Sequence, residues 1–368
     1  MGSSSKNREK IKELEEQLKK TKVNKRTEGA VGLMKARLAA LKEQEEKASS
    51  SKGGTTQGYS VRKSGDATVI LLGFPSAGKS SLLNTLTGAD SPVGAYEFTT
   101  LDVIPGLLEY KDAKIQILDV PGIVEGAASG RGRGREVLSV MHSADLVLVL
   151  LDVLRPNAFN VIMKEARDAH LRLNQRRPHV RITKKSKGGI DIGSTVKLTK
   201  IDEETIKKIL KEFRILNADV VLYDDVDADE FIDAIQGNKL YLPMLVVVNK
   251  VDLASPDMIK DIEKTIKPDL FISAQKNINI DKLKELIFSK LKFIRIYTKE
   301  VGKPADMDEP LIMIEGATVE AVCNKLHKDF VKKFKYAKIW GPSAKFPGQR
   351  QMLKHVLKDG DIVEIHIH

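Results

Sequence analysis

Eight residues, Gly73-Phe74-Pro75-Ser76-Ala77-Gly78-Lys79-Ser80, constrain the fold of this chain more than any other segment. They fit the pattern G-x-x-x-x-G-K-[ST], and their flanks fit as well. Ala67-Thr68-Val69-Ile70-Leu71-Leu72 is apolar and β-branched, as a buried strand is, and Ser81-Leu82-Leu83-Asn84-Thr85-Leu86 opens a helix. A chance glycine-rich turn would not come between a strand and a helix start, so an α/β layer is expected. Without bulky side chains, such a loop can wrap a phosphate and aim backbone N–H groups at its oxygens. The helix N-terminus adds partial positive charge. Gly73, Phe74, Pro75, Ser76, Ala77, Gly78, Lys79, Ser80 and Ser81 are therefore expected to line a phosphate site. Lys79 would reach the β- and γ-phosphates as the catalytic cation, and the Ser80 hydroxyl would hold Mg²⁺.

The rest of the chain indicates which base. Pro243-Met244-Leu245-Val246-Val247-Val248 reads as another buried strand and runs into Asn249-Lys250-Val251-Asp252. A carboxylate at Asp252 can accept hydrogen bonds from N1–H and the 2-amino group of guanine. Adenine has no such donor pair, and it would leave the carboxylate unpaired, so GTP is favoured over ATP. Asn249 is expected to brace the loop, with the Lys250 stem along the purine face. Leu270-Phe271-Ile272 leads to Ser273-Ala274-Gln275, whose amides can meet the guanine O6. Between these segments, the strand Ile115-Gln116-Ile117-Leu118 ends at Asp119-Val120-Pro121-Gly122. Asp119 stands where a Mg²⁺ carboxylate is needed, and the Gly122 N–H where a γ-phosphate would be sensed. Upstream, Phe98-Thr99-Thr100-Leu101 offers a further Mg²⁺ hydroxyl, with Thr100 preferred to Thr99. Either Thr alone would read as a solvated loop residue, but four ordered motifs on one chain argue otherwise. Loops of this kind order on the γ-phosphate and relax after hydrolysis.

The stretch Asp119-Val120-Pro121-Gly122-Ile123-Val124-Glu125-Gly126-Ala127-Ala128-Ser129-Gly130-Arg131-Gly132-Arg133-Gly134 resembles the second switch of Obg-like GTPases. With Gly73 to Ser80 and Tyr96-Glu97-Phe98-Thr99-Thr100-Leu101, it is similar to the developmentally regulated GTP-binding proteins along nearly the whole chain. The resemblance implies a P-loop GTPase domain with a mixed, mostly parallel sheet, an inserted α+β subdomain, an N-terminal helical hairpin and a C-terminal β-grasp (TGS) domain. Some relatives hold K⁺ with an Asn of the phosphate loop. Ser76, a weaker and neutral ligand, stands at that position here, so K⁺ is a second candidate cation after Mg²⁺. Many GTPases orient the attacking water with a Gln just after D-x-x-G, where this chain has Ile123. Turnover without a partner is therefore expected to be slow. Arg131, Arg133 and Arg135 can touch phosphate, but contact with RNA or solvent is the plainer reading.

Composition narrows the partners. Lys and Arg number 61 against 50 Asp and Glu, a formal net charge of +11, which favours polyanions: ribosomal or other RNA, or an anionic membrane surface. Aromatic residues make up 5%, so stacking is not expected to be the main mode of nucleic-acid binding. The single cysteine, Cys323, excludes an internal disulfide and suits a reducing compartment. No apolar run approaches the roughly 20 residues of a membrane helix, and no signal-peptide core opens the chain. A cytoplasmic monomer with no membrane partner is expected.

The domain reading is a helical hairpin and linker over 1–58, a GTPase domain over 59–292 interrupted by a basic insert over 175–238, and a β-grasp over 293–368. In the hairpin, Ile11, Leu14 and Leu18, then Met34, Leu38 and Leu41, repeat at helical spacing in stripes too narrow for an independent core. The insert predicts a β-hairpin, Val180-Arg181-Ile182-Thr183 turning through Lys187-Gly188-Gly189 to Val196-Lys197-Leu198, then a helix capped by Asp202. Arg172, Arg176, Arg177, Arg181, Lys184, Lys185 and Lys187 precede any acid there, which favours phosphate backbones over a merely solvated surface. In the related family this insert resembles a domain of a small-subunit ribosomal protein. The C-terminal part predicts strands at 293–298 and 310–314, a helix over 318–334, an exposed loop over 341–350 before a last helix, and a closing strand.

Together these features predict a GTP-hydrolysing regulator of the ribosome, bound to GTP or GDP, with a protein regulator on the TGS or N-terminal part. Two other readings stand beside it: a P-loop metabolic kinase, and an RNA-binding module that uses GTP only as a structural ligand.

Overall fold

The computed structural model describes residues 2–22, 27–50, 65–87, 104–120 and 140–368. In chain order the elements are α1 (Gly2–Lys20), α2 (Glu28–Ser50), β1 (Ala67–Leu72), α3 (Lys79–Thr87), β2 (Ile104–Tyr110), β3 (Ala113–Asp119), β4 (Leu146–Asp152) and α4 (Ala158–Asp168). There follow β5 (Leu171–Leu173), β6 (Val180–Lys184), β7 (Ile190–Ser194), α5 (Glu203–Glu212), β8 (Ala218–Leu222), α6 (Ala228–Gln236), β9 (Leu240–Leu242) and β10 (Met244–Asn249). The chain closes with α7 (Pro256–Thr265), β11 (Leu270–Phe271), α8 (Ile280–Lys290), β12 (Phe293–Thr298), β13 (Leu311–Ile314), α9 (Val319–Leu326), α10 (Lys328–Lys332), β14 (Phe334–Trp340), β15 (Gln349–Gln351) and β16 (Asp361–Ile367).

Two compact units form, one from residues 1–58 and 170–241, the other from 59–169 and 242–368. The second unit holds a six-stranded sheet in the order β11-β10-β4-β1-β3-β2. Its strands pair in parallel except β2, which runs antiparallel to β3. Every residue of β1, β4 and β10 is buried, which is why these strands read as unbroken apolar runs: both faces are covered. The parallel register brings the polar residues Asp119, Asp152 and Asn249 to the carboxyl ends of their strands.

The same unit carries the C-terminal sheet, ordered β13-β12-β16-β14-β15. Val319, Val322 and Cys323 of α9 are fully buried against Ile296, Ile339 and Val363, so the cysteine is core. Burial pushes its thiol up to about 11. The helix expected over 318–334 breaks at His327, whose extended backbone ends α9 and whose Nδ1 accepts from the Asp329 amide to cap α10. The expected helix after the 341–350 loop is absent; β15 and turns stand there instead.

In the other unit, the predicted hairpin is corrected. β6 and β7 do not pair, because β8 lies between them, antiparallel to β6 and parallel to β7. The intervening turn instead closes on the start of β8, with Lys185 N–H donating to the Asn217 carbonyl and the Gly189 N–H to Asn217 Oδ1. The physical reason is burial. Ala218, Val220 and Leu222 supply the apolar face that a central strand needs, whereas Arg181, Lys184 and Asp191 are tolerable only on edge strands. Val196, Lys197 and Leu198 form no strand. Asp202 caps α5 as expected, its side chain accepting from the Thr205 amide.

The hairpin of α1 and α2 packs on α5 and α6 through α2, where Met34, Leu38 and Leu41 are half-buried and smaller residues are buried more fully. Val31, Gly32, Ala36 and Ala40 are the buried residues. Small side chains let the backbones approach: a Cβ at Gly32 would lie 3.0 Å from the Ala228 Cβ, and one at Gly29 3.2 Å from Thr205 Oγ1. The surrounding ion pairs, Lys35 with Asp229 and Arg37 with Glu212, are partly open to solvent and contribute little beside this packing. Gly32→Leu is expected to destabilise this unit by about 1–3 kcal/mol through overpacking, outweighing the roughly 0.8 kcal/mol gain in helix propensity. Urea unfolding followed by circular dichroism checks this, and an unchanged midpoint would show that α2 is not seated there.

Candidate functional site: the strand ends of the six-stranded sheet

The loop after β1 takes its predicted shape for steric reasons. Pro75–Ala77 form one tight helical turn, and Gly78 follows at φ 86°. A Cβ at Gly78 would also lie 2.6 Å from Asn249 Nδ2, and one at Gly73 2.5 Å from the Leu150 carbonyl oxygen. Neither position admits a side chain. The Leu82 amide donates to the Gly78 carbonyl at the start of α3, so the amides of Lys79, Ser80 and Ser81 precede the helical ladder. They are the donors an anion would take. Ser76, Ser80 and Ser81 are exposed there.

Lys79 is buried, and its Nζ donates to the Gly73 carbonyl at 3.1 Å. The same ammonium stands 3.8 Å from Asp119 Oδ1, close enough for an ion pair and too far for a hydrogen bond. Asp119 Oδ1 is thus buried without a hydrogen-bond partner. Burial pushes the Asp119 carboxyl above its ordinary range, and the Lys79 cation opposes that shift. An orphaned carboxylate oxygen and an exposed helix-start hydroxyl are oxygen donors of the kind a hard divalent cation takes. Ser80 and Asp119 are the described residues that would hold Mg²⁺. Thr100 and Gly122, with the rest of both switch segments, lie outside the described residues.

At the other side, Asn249 is buried and ties three segments together. Its Nδ2 donates to the Ala77 carbonyl at 2.8 Å, and its Oδ1 accepts from the Ala274 amide at 3.0 Å. Thr85 of α3 adds a bond from Oγ1 to the Ala274 carbonyl at 3.2 Å. The phosphate loop and the Ser273-Ala274 loop are therefore one construction. Lys250 adopts a left-handed φ of 65°, and its Nζ bonds Asp152 Oδ2 at 2.7 Å. The other Asp152 oxygen accepts from the Leu154 amide. Asp252 Oδ1 is buried without a hydrogen-bond partner. The Ser273 hydroxyl holds the Asp252 carboxyl below its ordinary range, so it stays an acceptor at neutral pH.

Sequence reasoning missed Thr85 and Asp152. Asp152 had a signal, a lone carboxylate closing the apolar run Leu146–Leu151, as Asp119 closes its own strand. Thr85 had none.

At the site, two carboxylates thus keep a buried oxygen without a hydrogen-bond partner, Asp119 at the end of β3 and Asp252 just beyond β10. Those strands stand three places apart in the sheet, a separation of about 14 Å. A purine, its sugar and a polyphosphate laid across the strand ends span such a distance. This division of labour defines a P-loop protein that binds guanine nucleotides. Comparison with known proteins agrees. Residues 68–185 match the family described as 50S ribosome-binding GTPase, residues 187–293 the C-terminal region of that domain, and residues 294–367 the TGS domain. An uncharacterized GTP-binding protein of Methanocaldococcus jannaschii is 54% identical over 98% of this chain and 92% of its own length. Developmentally-regulated GTP-binding protein 2 of Bos taurus is 43% identical, and that of Homo sapiens 42%, each over 97% of this chain and 98% of its own length. The chain belongs to the developmentally regulated GTP-binding protein family.

Proposed function

We propose that this protein hydrolyses GTP to GDP and phosphate as a cytoplasmic, monomeric switch acting on the ribosome. The observation that carries the catalytic part is the buried pair Lys79 and Asp119, with the Asp119 oxygen left for a cation. Bound Mg²⁺, held by Ser80, Asp119 and Thr100, would neutralise charge on the β- and γ-phosphate oxygens. Lys79 and the amides of Gly78 to Ser81 place fixed positive charge where the transferring group develops its own. The Gly122 amide reports the γ-phosphate to the second switch. Ile123 cannot orient water, so either another polar group of the chain or a partner supplies the positioning group; K⁺ beside Ser76 is the second cation to test.

The ribosomal part is supported by the basic insert, though its cations are not all available. Arg172 is bound to Asp233, and Lys185 to Asp191 and Asp219, so both belong to the fold. Arg176, Arg177, Arg181, Lys184 and Lys187 are exposed. Unpaired exposed cations of this density suit phosphate backbones. The description of the matching family, a ribosome-binding GTPase, supports the same target.

Single-turnover phosphate release tests both parts. Without ribosomes the rate is expected well below about 1 s⁻¹, because partner-free switches of this kind turn over at about 10⁻⁴ s⁻¹ and a supplied cation adds on the order of 10⁵-fold. Ribosomes are expected to accelerate release, and the triple variant Arg176→Glu, Arg177→Glu, Arg181→Glu to lose that acceleration while still binding GTP. Fast release by the protein alone, or none under any condition, would sink the reading.

A further inference from the structure

The apolar run of β4 ends in a charge. Leu146 to Leu151 are buried, and Asp152 closes the strand at 6% exposure. A buried carboxylate is costly unless it is paired and hydrogen-bonded, so its partners bear on its purpose. Oδ1 accepts from the Leu154 amide at 2.9 Å, and Oδ2 from Lys250 Nζ at 2.7 Å. The main chain is fixed as well: the Arg155 N–H donates to the Asp152 carbonyl, and the Val153 N–H to the Asn249 carbonyl. Asp152 has no room to swing away, so what it holds is held in one place.

Lys250 is anchored from its other end. The register sets Asn249 directly beside Asp152 on adjacent parallel strands. Asn249 is tied to the Ala77 carbonyl and the Ala274 amide, and the Val251 N–H donates to the Ile272 carbonyl. The left-handed backbone of Lys250, at φ 65°, therefore lies between two fixed neighbours. Its side chain leaves from there and ends on Asp152, with 33% of its surface open. A surface lysine samples many rotamers. This one has its methylenes spanning from the end of β10 to the end of β4 before any ligand arrives.

Stability does not account for the pair, because a buried ion pair roughly breaks even with apolar side chains of similar volume. Recognition does account for it. A purine whose edge meets Asp252, two residues on, brings a flat face to this part of the strand ends. Methylenes already held still offer that face an apolar surface. A loose lysine would have to be ordered at each binding event, which lowers affinity by a factor of roughly ten to thirty.

We propose that Asp152 is a positioning residue for the base: by holding the Lys250 ammonium, it presets the Lys250 stem as the platform under the guanine ring. The proposal rests on the guanine-nucleotide reading above and divides the labour within that site. Asp252 reads the edge of the ring, and Asp152, acting through Lys250, supports its face.

The full-length protein, Asp152→Asn, Lys250→Met and the double variant are titrated calorimetrically with GTP, GDP, ATP and xanthosine triphosphate. Asn keeps the size of Asp152 but has one acceptor oxygen, and the Leu154 amide is the fixed claimant. Met keeps an unbranched stem and loses the ammonium. Each single variant is expected to bind GTP and GDP about tenfold more weakly, by one common factor, because the ring is common to both. The preference for GTP over xanthosine triphosphate should not change, since the ring edge is not touched. The double variant is expected to lose no more than either single one, because both break the same bond; a general loosening of the fold would not give that equality. Unchanged GTP affinity in either single variant, losses that multiply in the double variant, or an altered preference between GTP and xanthosine triphosphate overturns the proposal. The Lys250 side chain is partly open, so Lys250→Met should fold even where Asp152→Asn does not, and unchanged affinity in it alone suffices to overturn. An unchanged protein that took ATP as well as GTP would remove the base assignment, yet both variants would still weaken the two nucleotides equally. The two failures are thus separate.

Discussion

Asp252→Asn is expected to weaken GTP binding by roughly 10²- to 10⁴-fold and to turn the site toward xanthosine triphosphate. The buried Asp252 Oδ1 has no protein partner, and the Ser273 hydroxyl keeps the carboxyl ionised at neutral pH. Guanine would bring two donors to this carboxylate, each worth about 1.5–3 kcal/mol. An amide keeps one acceptor and turns an NH₂ toward the other donor, so one bond is lost and a repulsive contact replaces it. Xanthine presents a carbonyl where guanine has its amine, and an amide NH₂ can donate to it. Because Asp252 is not part of the Asn249 tie, the fold should be unaffected. Isothermal titration calorimetry with GTP, ATP and xanthosine triphosphate gives the result directly. A variant that binds GTP as tightly as the unchanged protein, or an unchanged protein that takes ATP equally well, would remove the base assignment.

Lys79→Ala is expected to reduce single-turnover hydrolysis by at least about 10²- to 10³-fold, the cost of losing one preorganised positive donor. The effect on the empty protein has a separate sign. Lys79 Nζ satisfies the Gly73 carbonyl and is the cation that opposes the raised pKa of Asp119. Without it, burial alone governs the Asp119 carboxyl, whose pKa moves further upward. Magnesium dependence should then shift toward higher pH, since only the ionised carboxylate ligates the metal. Lys79→Arg should rescue little, because the guanidinium is larger and planar whereas the 3.1 Å contact with Gly73 is built for an ammonium. Phosphate release measured against magnesium concentration and pH distinguishes these outcomes. Hydrolysis unchanged in Lys79→Ala would mean that the loop does not hold the transferring phosphate.

The site was legible in sequence wherever its chemistry is local. The glycine spacing from Gly73 to Gly78 reflects two close contacts, with the Leu150 carbonyl and with the Asn249 side chain, that leave no room for a Cβ. Asn249 to Asp252 follows a buried strand by necessity, because the loop must leave the sheet where the base arrives. Other features were not legible because partner and residue are far apart in the chain. The Asn249 bond to Ala77 spans 172 positions, and the Thr85 bond to Ala274 spans 189. No window of sequence contains either pair. The misread hairpin has the same origin: β6 and β7 look like neighbours until β8, from beyond α5, enters between them with the better apolar face. On α2 the large apolar residues were legible and the small buried ones were not, although a close helix contact selects glycine and alanine.

Sequence alone determined the strand–loop–helix that cradles phosphate, the carboxylates at the strand ends and the excess of positive charge, because each follows from residue type and spacing. Tertiary structure alone decided which cations are spent inside the fold, as Arg172 and Lys185 are, and which face open solvent. It also set Asp152 beside Asn249, so that Lys250 meets a carboxylate 98 positions away. Strand register made that choice, and register is set by which side of each strand a shared core can bury.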